Sequence, residues 1–139
     1  MEWKKALPLL QENHSAVAIS VTPKGRAQAT VVSTALLDGK LGFASRPHTV
    51  KVKNIQKTGR AAVTVIKLDT RRYVTVEGPA SIEPWQDTPA HIKRLKDLYT
   101  GMGRRLKSDE EFAQQMRDEQ RTLVLVTPER VYGSLRSGA

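Results

Sequence analysis

Short runs of β-branched and aliphatic residues, cut at close intervals by turn residues, constrain this chain more than any other feature. Ser15 to Val21 alternates as Ser-Ala-Val-Ala-Ile-Ser-Val and reads as a strand. Thr22-Pro23-Lys24-Gly25-Arg26 is a turn, with Pro fixing φ and Gly tolerating a positive one. Ala27 to Leu36 is a second strand, and Leu41 to Ala44 a third. Between them Asp38-Gly39 is a strong hairpin signal. Ala61 to Leu68 and Tyr73 to Ile82 form another pair around the turn Asp69 to Arg72. Gly78-Pro79 inside the longer run predicts a bulge or a sheet edge. Thr122 to Thr127 and Val131 to Leu135 follow, joined by Pro128-Glu129-Arg130. Seven short strands, several joined as hairpins, predict a mainly antiparallel sheet. In so small a chain such strands favour a closed barrel or a sandwich, which hides strand edges.

Helical patterns flank the strands. Trp3, Ala6, Leu7 and Leu10 fall at i, i+3, i+4, i+7, so a short N-terminal helix is expected, with Pro8 kinking it or delaying its start. His48 to Lys57 reads as a short basic helix ended by Thr58-Gly59. Thr88-Pro89 opens a third, with Thr as cap, Pro at the first position and Ile92, Leu95, Leu98 and Tyr99 as its apolar face. Gly101 and Gly103 end it. Ser108-Asp109-Glu110-Glu111 is a capping box for a fourth, which buries Phe112 and Met116. No repeat, linker or low-complexity tract interrupts the pattern, so residues 1–139 are read as one domain.

Several chemistries lack their residues. There is no Cys among the 139 residues, which removes disulfides, thiolate metal sites and cysteine nucleophiles. His14, His48 and His91 are scattered and read as surface or capping histidines rather than metal ligands. No nucleophile elbow, P-loop or dinucleotide-binding glycine motif follows a strand. The cluster Asp109, Glu110, Glu111 is explained by the helix start. No apolar run approaches the roughly 20 residues of a membrane span, and no signal-peptide core precedes the first strand, so a cytoplasmic protein is expected.

The net charge of +9 predicts an anionic partner. A nucleic-acid-binding barrel would share that charge. Yet single-strand binders also need aromatic platforms, and aromatics are only 5% here. The stretch Ala44-Ser45-Arg46-Pro47-His48-Thr49-Val50-Lys51-Val52-Lys53-Asn54-Ile55 is the more specific signal. A strand ends and a helix begins amid hydroxyls and cations, an arrangement that suits a phosphate. By charge alone the stretch reads instead as a solvated basic face, because charge runs are usually that.

The order of several motifs adds to this. Asn13 to Val21 with the turn Pro23 to Arg26, the hairpin Leu37 to Ser45, and Lys51-Val52-Lys53-Asn54-Ile55 followed by Gly59-Arg60-Ala61-Ala62-Val63 occur in sequence. Arg72-Tyr73-Val74-Thr75-Val76-Glu77-Gly78-Pro79-Ala80 and Pro128-Glu129-Arg130-Val131-Tyr132-Gly133 complete the set. Together they resemble the pyridoxamine 5′-phosphate oxidase-like split β-barrel superfamily, in particular its flavin- and deazaflavin-dependent oxidoreductases. The resemblance implies a mainly β fold with flanking helices, a mostly antiparallel split β-barrel, assembled as a homodimer with cofactor sites at the interface. By motif, Lys51, Lys53 and Asn54 would hold the cofactor phosphate, helped by Ser45 and Arg46. Val31, Val32, Ser33 and Thr34 would line the ring system. Where many relatives place an arginine before the lysine, this chain has His48-Thr49.

The family divides between FMN and coenzyme F420, whose phosphodiester-linked glutamate tail carries more negative charge. The basic balance and the Lys-x-Lys-Asn-Ile pattern point to F420, with FMN as the alternative. The expected activity is hydride transfer from reduced F420 to an electron-poor small molecule. No side chain stands out as catalytic: solvent, Tyr73 or Arg72 could serve as proton donor, and neither residue is assigned a catalytic role. Oxidation of pyridoxamine 5′-phosphate itself is disfavoured, because Arg136-Ser137-Gly138-Ala139 adds no substrate-binding segment. A non-catalytic cofactor carrier is the remaining reading. No specific nucleic acid and no membrane are expected as partners.

Overall fold

The computed structural model describes residues 1–136, so Ser137-Gly138-Ala139 lie outside the described residues. Helix α1 spans Trp3–Glu12, and strands β1 Ser15–Val21, β2 Ala27–Leu37 and β3 Lys40–Ser45 follow. Helix α2 spans Val50–Thr58, β4 Arg60–Lys67, and a 3-10 turn Leu68–Thr70 leads to β5 Arg72–Glu83. Helices α3 Pro89–Gly101 and α4 Asp109–Glu119 precede β6 Thr122–Val126 and β7 Arg130–Ser134.

All strand pairs are antiparallel. The order β4-β1-β2-β3-β6-β5 closes through β4–β5 pairing into a six-stranded barrel, and β7 adds to β5 outside the ring. The fold is therefore a split β-barrel with four helices. Closure leaves few open strand edges, the liability that so many short strands create.

Two stretches of chain illustrate how local chemistry sets the ring: the β2–β3 turn and strand β5. Asp38 and Gly39 both have positive φ, 55° and 70°, which is the backbone twist a tight β2–β3 turn requires. The second is β5, which changes partner at Gly78-Pro79. Arg72 to Pro79 pair with β4, Tyr73 to Glu77 also with β7, and Ala80 to Glu83 with β6. At the changeover the Thr127 N–H donates to the Pro79 carbonyl at 2.8 Å, and the Glu129 N–H to the Glu77 carbonyl at 3.0 Å. A Cβ on Gly78 would collide with the Thr127 carbonyl oxygen. The glycine thus serves a close backbone approach where one strand crosses between two sheets.

Two apolar cores result. Alternate residues of the strands, among them Val63, Val65, Val74, Val76, Leu41 and Phe43, fill the barrel with Ala6, Leu9 and Leu10 of α1 and Ile55 of α2. Helices α3 and α4 pack Leu95, Leu98, Tyr99, Phe112 and Met116 on the outer face of β2, β3 and β6. Strand β6 serves both, with Val124 and Val126 inward and Leu123 and Leu125 outward, so its five residues are all buried. That explains its unbroken apolar run.

Local expectations are adjusted in three places. Helix α1 starts at Trp3 despite Pro8, because Lys4, whose carbonyl loses its partner, and Pro8 itself both face solvent. Helix α2 starts at Val50, since His48 lies in the preceding turn and Thr49 is the cap position. His91 is neither a surface nor a capping residue: it is 6% exposed, and its ring reaches the Arg121 carbonyl at 3.0 Å. His14 is half-buried, its Nδ1 2.9 Å from the Thr34 carbonyl, and His48 is exposed. No helix among the described residues is long and apolar enough to cross a membrane.

Candidate anion and cofactor cleft

A cleft of about 250 Å³ opens where β2, the end of β3, α2, the end of α3 and the α4–β6 junction meet. Its apolar lining is Val31, Val32, Ala44, Tyr99 and Met102. Its polar lining is Ser33, Lys51, Arg104 and Arg121. Three cations therefore share this cleft with the Ser33 hydroxyl, and among the described residues no carboxylate lines the space.

Each cation is held differently. Lys51 sits in the first turn of α2 and is 8% exposed. Its ammonium is pushed below the usual lysine range, first by burial and then by the neighbouring Arg121 charge. No ion pair among the described residues engages it. Arg104 is carried by the α3–α4 connection. Its guanidinium lies 5.3 Å from the centre of the Tyr99 ring and donates to Ser33 Oγ at 3.1 Å. Arg121, half-buried, follows Gln120, whose positive φ of 52° ends α4. Its Nη1 is 3.5 Å from the Ala44 carbonyl, and its Nε is 3.4 Å from Glu119. Glu119 also lies 3.9 Å from Arg46 and offsets part of this charge from behind the cleft wall. The Tyr99 hydroxyl is raised above the ordinary phenol range, chiefly by burial.

The motif residues divide. Val31, Val32, Ser33 and Lys51 come together at the cleft. Thr34 does not: opposite Phe43 on the β2–β3 ladder, it is fully buried, with a hydroxyl that has no hydrogen-bond partner among the described residues. Lys53 is exposed on another face of α2, because residues two apart on a helix point roughly 200° apart. Asn54 is buried, but its Nδ2 donates to Ser20 Oγ at 3.1 Å and fastens α2 to β1. Ser45 is buried, 2.9 Å from the Thr49 hydroxyl, and donates to the Arg46 carbonyl at 3.1 Å, so it shapes the turn. Arg46 is mainly exposed. Arg72 and Tyr73 lie at the start of β5 and do not line the cleft.

Sequence reasoning missed Arg104 and Arg121. Neither sits in a motif. The only signal was a positive charge beside a glycine-rich helix end, Gly101-Met102-Gly103-Arg104, and beside a helix-to-strand junction.

The pyridoxamine 5′-phosphate oxidase family model matches residues 3–134. The chain belongs to this family. Among curated proteins none matches significantly. An F420 reductase structure is 24% identical, with TM-score 0.66, covering 90% of this chain and 94% of its own. A pyridoxamine 5′-phosphate oxidase-related, FMN-binding protein from Nostoc punctiforme is 20% identical, with TM-score 0.68, covering 94% and 83%. A heme storage protein from Vibrio cholerae is 12% identical, with TM-score 0.72, covering 96% and 95%. At these identities the likeness is one of fold.

The residues present fit the phosphate end of a flavin-type cofactor. Three cations and a hydroxyl offer charge-assisted donors to several oxygens at once. The cleft of one chain is smaller than the roughly 300 Å³ and more that such a ligand occupies. The ring system would extend past the rim, where Val31 presents an apolar side chain that is 79% exposed.

Proposed function

We propose that this chain is an F420-dependent oxidoreductase acting as a homodimer, with the cofactor held in the cleft and covered by a second copy. The observation that carries this reading is the convergence of Lys51, Arg104 and Arg121 beside exposed Val31. In this reading Lys51 and Arg121 hold the phosphate from two sides. Ser33 and Arg104 donate at the rim, and Val31 and Val32 contact the ring. When bound, reduced F420 supplies a hydride to an electron-poor acceptor, and the protein contributes position and electrostatics.

The preference for F420 over FMN rests on charge beyond the phosphate site. A second cavity of about 200 Å³ adjoins the cleft across Tyr99 and Arg104, and Arg105 and Lys107 line it. Further negative groups have cations to meet there, whereas FMN ends at one phosphate. The family relationship supports a flavin-type cofactor, and the structural neighbours include both an F420 reductase and an FMN-binding protein. The test is turnover: reduced F420 is mixed with a panel of activated alkenes, imines and quinones, and its reoxidation is followed. Oxidation faster than in the protein-free control, and lost in Arg121→Ala, is the expected result. Tight binding without oxidation of any acceptor would make the chain a carrier instead.

A further inference from the structure

We infer that His91 is a positioning residue that sets Arg121 in the cleft. The inference rests on the reading of the cleft as an anion site. The connection is direct. The His91 ring Nε2 lies 3.0 Å from the Arg121 carbonyl oxygen. A carbonyl only accepts, so Nε2 carries the hydrogen and the tautomer is fixed. Trp85 meets the ring edge-on at 5.4 Å between centres, and the His91 backbone N–H donates to the α3 cap, Thr88 Oγ1, at 3.2 Å.

The place of the bond explains what it does. Arg121 stands between the left-handed Gln120 and the first β6 pair, Thr122 opposite Ser45. Its carbonyl precedes the β3–β6 ladder, and the imidazole supplies a donor. Arg121 lines the cleft while Glu119, 3.4 Å from its Nε, competes for the guanidinium. Tyr99, eight residues after His91 on the same helix, supports Arg104. Two of the three cleft cations are thereby referenced to α3, one at each end.

The test uses the full chain and inorganic pyrophosphate as probe, titrated calorimetrically beside F420. Arg121→Ala is expected to weaken pyrophosphate binding by about tenfold or more, and His91→Leu by about three- to tenfold, the range of one hydrogen bond. His91→Gln, which keeps an N–H donor, should stay within about twofold of wild type, a rescue that a loss of packing would not show. The double variant His91→Leu/Arg121→Ala should bind no more weakly than Arg121→Ala alone. Unchanged affinity in His91→Leu, no rescue by Gln, or losses that multiply in the double variant would overturn the inference. If His91→Leu does not fold, ring-nitrogen NMR of the wild type decides. Pyrophosphate should then shift the His91 Nε2 resonance and leave exposed His48 in place, and an unmoved His91 overturns the inference. Equal binding by wild type and Arg121→Ala overturns the cleft reading and this one together. A loss in Arg121→Ala with none in His91→Leu overturns this one alone.

Discussion

Lys51, to which the proposed function gives a binding role, is costly to the free protein. Its ammonium is buried beside Arg121, and its pKa falls below the ordinary 10.5. The sign follows from linkage. Below the lowered value the folded and unfolded states both carry the proton, and folding bears the full cost of burying the charge. That cost declines as pH rises from the folded value toward 10.5. Lys51→Met should therefore raise the melting temperature of ligand-free protein at neutral pH and flatten the alkaline rise in stability. It should also weaken F420 binding by about tenfold or more, as expected for losing a charged hydrogen-bond partner. Lys53→Ala, on the exposed face of α2, should leave affinity within about twofold. Calorimetric melts across pH and a fluorescence titration check both. The motif pointed to both lysines because it counts positions along the chain. Only helical geometry distinguishes them, and Arg104 and Arg121 enter through folding rather than through any motif.

Among the elements, the strands were legible because alternation and turn residues act locally. Each expected strand is present within a residue or so, and the capped starts of α3 and α4 fall at Thr88 and Ser108 as their side chains dictate. The role of Gly78 was not legible. A glycine-proline pair in a strand signals a bulge or an edge, but the structure uses it where β5 passes from β7 to β6. That exchange depends on Thr127 and Glu129, some fifty residues away, and no local pattern reports them. Gly78→Ala should destabilise the fold by about 1–3 kcal/mol, the usual cost of overpacking. Denaturant unfolding measures it, and an unchanged midpoint would mean that the β6–β7 turn yields freely.

At the scale of the whole molecule, the barrel and the family follow from the order of strands and motifs, the division into two cores emerges only from the packing, and the assembly is proposed. Exposed Val31 beside a cationic cleft is an apolar surface next to a charged one, which a second copy would cover together with the cofactor ring. Val31→Glu should shift sedimentation from dimer toward monomer and weaken F420 binding in parallel. A wild type that sediments as a monomer at all concentrations would contradict the interface. The central claim is the cofactor, and paired fluorescence titrations of cofactor-free protein with F420 and with FMN at moderate salt test it most directly. Tight F420 binding, weak FMN binding and loss of the former in Lys51→Met and Arg121→Ala are predicted. Tight FMN binding with weak F420 binding would contradict the assignment and make the chain a flavoprotein, and binding of neither would return its +9 charge to other polyanions, nucleic acid first among them.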